Sequence, residues 1–137
     1  MFHTLILIGY LGRDPEMRFT PSGQPVTRFS VATNRQYTNA NGELVKETLW
    51  FRVTTWGKLA EICNQYLKKG SKVFIEGRLT ADPRTGGPRI WNGQDGQPRA
   101  SFEVTAQTVR FLSARGEEEA TPEAPGVEAL GDEDIPF

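Results

Sequence analysis

Thr48-Leu49-Trp50-Phe51-Arg52-Val53-Thr54-Thr55-Trp56, followed directly by Gly57-Lys58-Leu59-Ala60-Glu61-Ile62-Cys63-Asn64-Gln65-Tyr66-Leu67-Lys68-Lys69-Gly70, changes its hydrophobic period in mid-course. In the first nine residues Leu49, Phe51 and Val53 fall on one side, and Trp50, Arg52, Thr54 and Trp56 on the other. That is the alternation of a strand whose two faces meet different surroundings. In the next stretch Leu59, Ile62, Cys63, Tyr66 and Leu67 recur at offsets 0, 3, 4, 7 and 8. They predict one face of an α-helix over residues 58–69, with Gly70 placed to end it.

Outward from this pair, residues 3–12 form a nearly continuous apolar run of strand length, expected to be covered on both faces. Gly9 inside the run marks a bulge or a close backbone approach. A turn region follows, with Asp14-Pro15 and Pro21-Ser22-Gly23, and then a second strand over residues 26–34. There Thr27, Phe29 and Val31 alternate with Arg28 and Ser30. Residues 36–43 read as a projecting polar loop turning at Asn41-Gly42, where glycine supplies a positive φ. Beyond the helix, strands are expected over residues 72–80 and 101–112, joined by a Gly/Pro-rich excursion over residues 81–100. The expected class is therefore all-β: a five-stranded OB-fold barrel with one α-helix between strands 3 and 4, an architecture that often binds oligonucleotides.

The 137 residues suffice for one such domain and an appendage, and the net charge of −1 conceals how unlike the two parts are. Residues 1–112 carry 15 Lys+Arg against 9 Asp+Glu, a balance of +6, whereas residues 113–137 carry Arg115 against eight carboxylates, a balance of −7. A polyanion ligand is expected on the first part and a separate task for the second. Residues 113–137 are too poor in apolar side chains to offset ordering entropy, so the chain divides into a 1–112 domain and a disordered acidic tail. A lone Cys63 leaves no disulfide framework, which fits a reducing cytosol. The first apolar run is short and alternating, without a basic leader or cleavage site, and no run reaches the roughly 18 apolar residues of a membrane span. The expectation is a protein of the bacterial cytoplasm, associated with the nucleoid and not with membranes.

Capture of a single nucleic-acid strand needs flat apolar surfaces for unstacked bases and cations beside them for phosphates. The third strand combines the two: Trp50, Arg52 and Trp56 share a face at period two, with Lys58 just beyond. Tryptophan is usually well buried, so both rings could instead belong to a core or a subunit interface. Arg52 between them opposes a dry face, because a buried guanidinium would need its own partner. Tyr37 and Trp91 stand in polar segments with no core face nearby, and Arg84, Arg89 and Arg99 make the long excursion a basic arm bearing an aromatic. Arg18, Arg28 and Arg35 serve equally as phosphate contacts or as solvated surface. Lys68, Lys69 and Lys72 are equally explained by the helix macrodipole.

The last residues, Asp132, Glu133, Asp134, Ile135, Pro136 and Phe137, set three carboxylates before an apolar anchor that also carries the α-carboxylate. Acids to steer an approach and an aromatic to fill a pocket make a peptide-recognition motif for partner proteins, whereas a merely solubilising tail does not explain Phe137. Enzyme readings fare poorly: His3 is the only histidine, and neither a phosphate-binding GxxxxGK[ST] nor a Gly-flanked nucleophilic serine occurs. No catalytic residue, cofactor or metal site is expected.

Three segments carry a family resemblance: Leu7-Ile-Gly-Tyr-Leu-Gly-Arg-Asp-Pro-Glu16 with Arg18-Phe-Thr-Pro-Ser-Gly23, Trp50-Phe-Arg-Val-Thr-Thr-Trp-Gly-Lys-Leu-Ala-Glu61, and Tyr66-Leu-Lys-Lys-Gly-Ser-Lys-Val-Phe-Ile-Glu-Gly77. With its acidic tip, nearly the whole chain resembles bacterial single-stranded DNA-binding proteins. The resemblance implies a homotetramer in which first strands pair across a dimer interface and single-stranded DNA wraps around the assembly. It carries base stacking onto Tyr37, Trp50, Trp56 and Trp91, and phosphate contacts onto Arg18, Arg52, Lys58, Lys68, Lys69 and Arg89. It also implies that the tip binds replication, recombination and repair proteins. The chain departs from the family pattern at Tyr37, often Trp, at Phe51, often His, in a longer loop at residues 84–88, and in a tail without a long linker. An OB-fold RNA-binding module and a structural adaptor whose tryptophans form an interface remain the competing readings.

Overall fold

A computed structural model describes residues 1–112. The disordered tail and the partner-binding tip expected over residues 113–137 lie outside the described residues. The strands are β1 (Leu5–Leu11), β2 (Glu16–Phe19), β3 (Pro25–Thr38), β4 (Leu44–Trp56), β5 (Lys72–Leu79), β6 (Ile90–Asn92), β7 (Pro98–Ala100) and β8 (Phe102–Phe111), with helix α1 (Gly57–Tyr66) between β4 and β5.

Five long strands, β1, β3, β4, β5 and β8, make the barrel expected from sequence, with neighbours in the order β1-β5-β8-β4-β3 and β2 added at the margin of β3. Closure comes where the end of β1 turns from β5 to β3, pairing Tyr10 with Ala32 and Leu11 with Val31. Pairing is antiparallel throughout except between β4 and β8, where Phe51–Thr54 runs parallel to Phe102–Thr105. A Cβ on Gly9 would collide with the Ala32 carbonyl and with Val31, so the glycine foreseen as a close approach is what allows β1 to cross onto β3.

The core follows the period-two reading. Phe29 and Val31 of β3, Phe51 and Val53 of β4, Val73 and Ile75 of β5 and Val104 and Ala106 of β8 point inward, joined by Leu7 and Leu11 of β1. Helix α1 plugs one end with Ala60, Cys63 and, just past it, Leu67. Two buried hydroxyls fix its seat: Thr27 Oγ1 donates to the Ala60 carbonyl at 2.7 Å, and Thr55 Oγ1 donates to the Thr27 carbonyl at 3.0 Å. Both polar groups are thereby satisfied in a dry setting.

Several expectations are corrected. The helix stops at Tyr66, not Lys69, because side chains capture the next amides: Lys68 N–H donates to Ser71 Oγ at 3.0 Å and Lys69 N–H to Asp14 Oδ1 at 2.8 Å. Tyr66, placed on the apolar helix face from sequence, is exposed, with its ring 6.0 Å from that of Phe111. The polar loop expected over residues 36–43 shrinks to residues 39–43, since β3 and β4 pair continuously from Val26–Trp56 to Thr38–Leu44. This ladder outruns the barrel, so Leu49, assigned to the interior, is exposed on a protruding ribbon. Asn39 closes the ribbon by accepting the amides of Asn41 and Glu43, and Gly42 takes the foreseen positive φ of 80°. The 81–100 excursion contains the β6–β7 hairpin, and part of the 14–23 turn region is strand β2. Finally, β1 is covered on one face only: Ile6 and Ile8 are exposed in the single chain.

Candidate nucleic-acid interface

The outer face of β4 presents the expected series. Trp50 is 52% exposed and Trp56 43%, while Phe51, Val53 and Thr55 between them point into the barrel. Exposure of this size rules out the single-chain core as the reason for either ring. Six residues of strand set the two indoles about 20 Å apart. Opposite them on β3 stand Ala32 against Trp50, Ser30 against Arg52, Arg28 against Thr54 and Val26 against Trp56. The neighbours across the ladder are small at Ala32 and Ser30, cationic at Arg28 and apolar at Val26, and both indoles stay about half exposed.

Each ring has its own support. The Trp50 indole lies over Gly12, where a Cβ would stand 2.6 Å from the ring. The same segment holds the cationic turn, as the Leu11 carbonyl accepts the Gly70 amide at 2.9 Å and Asp14 accepts that of Lys69. The backbones of Lys68 and Lys69 are therefore tied to the segment that underlies Trp50. Trp56 borders a cleft of about 200 Å³ lined by Glu16, Arg18, Phe19, Thr20, Val26 and Arg28. Arg18 pairs there with Glu16 at 3.1 Å, both side chains exposed, so the guanidinium is held only weakly. Lys58 is exposed in the first turn of α1, directly after Trp56.

Tyr37 and Trp91, expected in loops, both lie on strands. Tyr37 is on the outer part of β3, with the Arg35 guanidinium 4.6 Å from its ring centroid and Arg35 in turn 3.3 Å from Glu47. Trp91 is on β6, half-buried, with two guanidiniums over its ring: Arg89 at 5.0 Å and Arg52 at 5.4 Å from the centroid. Arg52 thus joins the β4 aromatics to the hairpin. Such cation–π contacts hold a ring in place while leaving the cations able to meet an anion.

Sequence reasoning missed two members and left one undecided. Phe19, 63% exposed on β2 beside Trp56, was hidden in what read as a turn. Its signal was a large apolar side chain within a polar segment. Arg28 had been left between ligand contact and surface, and the cleft places it next to Trp56. Glu103 was not singled out at all, yet it accepts from Arg89 Nε at 3.2 Å.

Among the described residues there is no group of three His, Cys, Asp or Glu side chains positioned to hold a metal, and no helix long and apolar enough to cross a membrane. Cys63 is buried away from the aromatic face, and burial pushes its thiol up to about 11, partly opposed by a hydrogen bond with Thr55.

The sequence model of the family described as "Single-strand binding protein family" matches residues 2–112. A single-stranded DNA-binding protein of Neisseria meningitidis serogroup A is 43% identical over 113 residues, covering 82% of this chain and 61% of the relative. One from Chlorobaculum tepidum is 40% identical over 121 residues, covering 88% and 70%. The chain thus spans about three fifths of the length of the Neisseria relative. Among solved structures, a Plasmodium falciparum SSB in complex with ssDNA superposes with a TM-score of 0.68 at 27% identity, covering 82% of this chain and 96% of that one.

Proposed function

The chain belongs to the single-strand binding protein family, and from that premise we propose that it binds and protects single-stranded DNA in replication, recombination and repair, without strong sequence preference. The observation that carries the reading is the exposed face of β4, where Trp50 and Trp56 stand clear of the core with Arg52 between them and Arg28 across the ladder. Bases stack on Trp50, Trp56, Trp91 and Tyr37, with Phe19 added beside Trp56. Phosphates meet Arg18, Arg52, Lys58, Lys68, Lys69 and Arg89. Stacking is tolerant of sequence because every base has a π-face.

The assembly is a homotetramer built through β1. Its Leu5–Tyr10 segment pairs with β5 on one edge, while β3 takes only Tyr10 and Leu11 on the other. An apolar edge strand with Ile6 and Ile8 exposed is an invitation to pair with a second copy. Asp132, Glu133, Asp134, Ile135, Pro136 and Phe137 recruit replication, recombination and repair proteins. The chain works in the bacterial cytoplasm, in line with the bacterial sources of the relatives.

The test is intrinsic tryptophan emission during titration with oligo(dT) and, separately, with duplex DNA at two salt concentrations. Strong quenching by the single strand alone is expected, with affinity falling as salt rises by about 0.7 logarithmic units per tenfold salt for each phosphate neutralised. Trp50→Ala or Trp56→Ala should each cost about 1–3 kcal/mol of binding. Equal responses to both ligands, or none, would shift the tryptophans to an interface between subunits and favour an adaptor instead.

A further inference from the structure

Beside Arg52 the proposed DNA face carries a carboxylate, Glu103, that electrostatics alone would exclude from it. Glu103, on β8, pairs in parallel register with Arg52 of β4. Its Oε2 accepts from Arg89 Nε at 3.2 Å and from Ser101 Oγ at 3.1 Å. Its backbone carbonyl accepts the Thr80 amide at 2.7 Å, so the two ends of the 81–100 excursion meet at this residue. Arg89 and Arg52 are also the two cations that stand over the Trp91 ring. The carboxylate is mostly shielded, at 21% side-chain exposure, while Arg89 remains 51% exposed.

We propose that Glu103 is a positioning residue that clasps the β6–β7 arm to the barrel through Arg89 and thereby sets the place of Trp91, beside Arg89 and Arg52, at the nucleic-acid surface. This rests on the proposed DNA-binding function and deepens it. With Arg89 half exposed, the pair adds little to fold stability. Its product is placement: without the clasp, the arm is tied to the barrel chiefly at its two chain ends and the indole must be ordered when the strand binds, which costs affinity. The carboxylate repels phosphate, so its presence on a basic surface is explained by what it holds.

The two contributions have opposite signs, which makes the proposal testable in the full chain. Loss of one negative charge from a polyanion-binding face should by itself tighten binding. If Glu103 positions the arm, Glu103→Ala instead weakens oligo(dT) binding about fivefold, on the order of one partly lost stack. Glu103→Gln, which keeps an acceptor oxygen at the same reach, recovers part of the loss. In an Arg89→Ala background the Glu103→Ala change causes no further loss and leaves only the tightening that removal of the charge brings. Unchanged or tighter binding by Glu103→Ala overturns the proposal, as does a loss that persists without Arg89, since the carboxylate would then be acting on the barrel. A readout free of DNA separates this from the function itself. In a Trp50→Phe/Trp56→Phe chain, where Trp91 alone emits, Glu103→Ala should raise the acrylamide quenching constant. An unchanged constant overturns the clasp whether or not the parent chain binds DNA, while failure of the parent to bind oligo(dT) overturns the function and leaves the quenching result to decide the clasp.

Discussion

Cys63 illustrates how a single residue records the packing around it. Buried between α1 and the barrel, the thiol holds its proton up to about 11 instead of its ordinary 9.0, desolvation being the main cause and the Thr55 hydrogen bond opposing it. The unfolded chain loses this proton near 9, so between pH 9 and 11 the unfolded state binds fewer protons than the folded one and stability falls as pH rises. The loss attributable to Cys63 is about 2–3 kcal/mol by pH 11, and none of it is felt below about pH 8. Urea denaturation of the parent chain and of Cys63→Ala at pH 8 and pH 11 isolates it: the gap between the two should close by this amount at the higher pH. A constant gap would mean that the thiol is solvated in the folded state. From the sequence, Cys63 was legible as a helix-face residue because Leu59 and Ile62 share its period. Tyr66 was misplaced by the same rule, since helical periodicity carries no information about where Ser71 and Asp14 will capture the following amides and end the face.

At the scale of elements, strand interiors were legible and strand lengths were not. Phe29, Val31, Phe51 and Val53 alternate against the barrel core and could be read directly, whereas residues 34–38 and 44–49 lie beyond that core and lose the apolar signal while keeping the ladder. The outer ribbon is held by cross-strand pairs such as Thr48 Oγ1 donating to Asn34 Oδ1 at 2.8 Å, and by Arg35 against Glu47. Polar pairing of this kind resembles loop composition in a one-dimensional reading. The consequence for the site is reach: Tyr37 stands five residues beyond Ala32, the partner of Trp50, about 17 Å along the ribbon and, by the period of two, on its other face. A strand must be long enough to cover that distance before Tyr37 contributes. Tyr37→Ala should therefore weaken a long oligo(dT) by about 1 kcal/mol and leave a short one, anchored on Trp50 and Trp56, nearly unchanged. Titrations with a graded series of lengths would show the two curves diverging only above a threshold, and equal losses at every length would place Tyr37 within the central site.

For the whole molecule, the decisive asymmetry is that one side of the barrel presents Trp50, Trp56 and their cations while β1 and β5 present Ile6, Ile8 and a partly exposed Phe74 on the far face. The sequence pattern made β1 look enclosed on both sides because its run of apolar residues is nearly unbroken. Within one chain only the Leu7 and Leu11 face is enclosed. The two findings agree if a second copy supplies the missing cover, with the unpaired edge of β1 as the seam. Charge is the sharpest test of this, since an isoleucine that is already in water tolerates replacement, whereas one buried between subunits does not. Ile6→Glu/Ile8→Glu should yield a chain that keeps its β-rich circular dichroism but sediments as a monomer. Its affinity for an oligo(dT) just long enough to fill one barrel should stay within a few-fold of the parent, because Trp50, Trp56 and Trp91 lie elsewhere, while its advantage on long strands should disappear with the additional barrels that multivalent wrapping requires. A double variant that still sediments as a tetramer would move the interface away from β1, and one that also lost the short oligomer would mean that the aromatic face itself depends on the neighbouring copy.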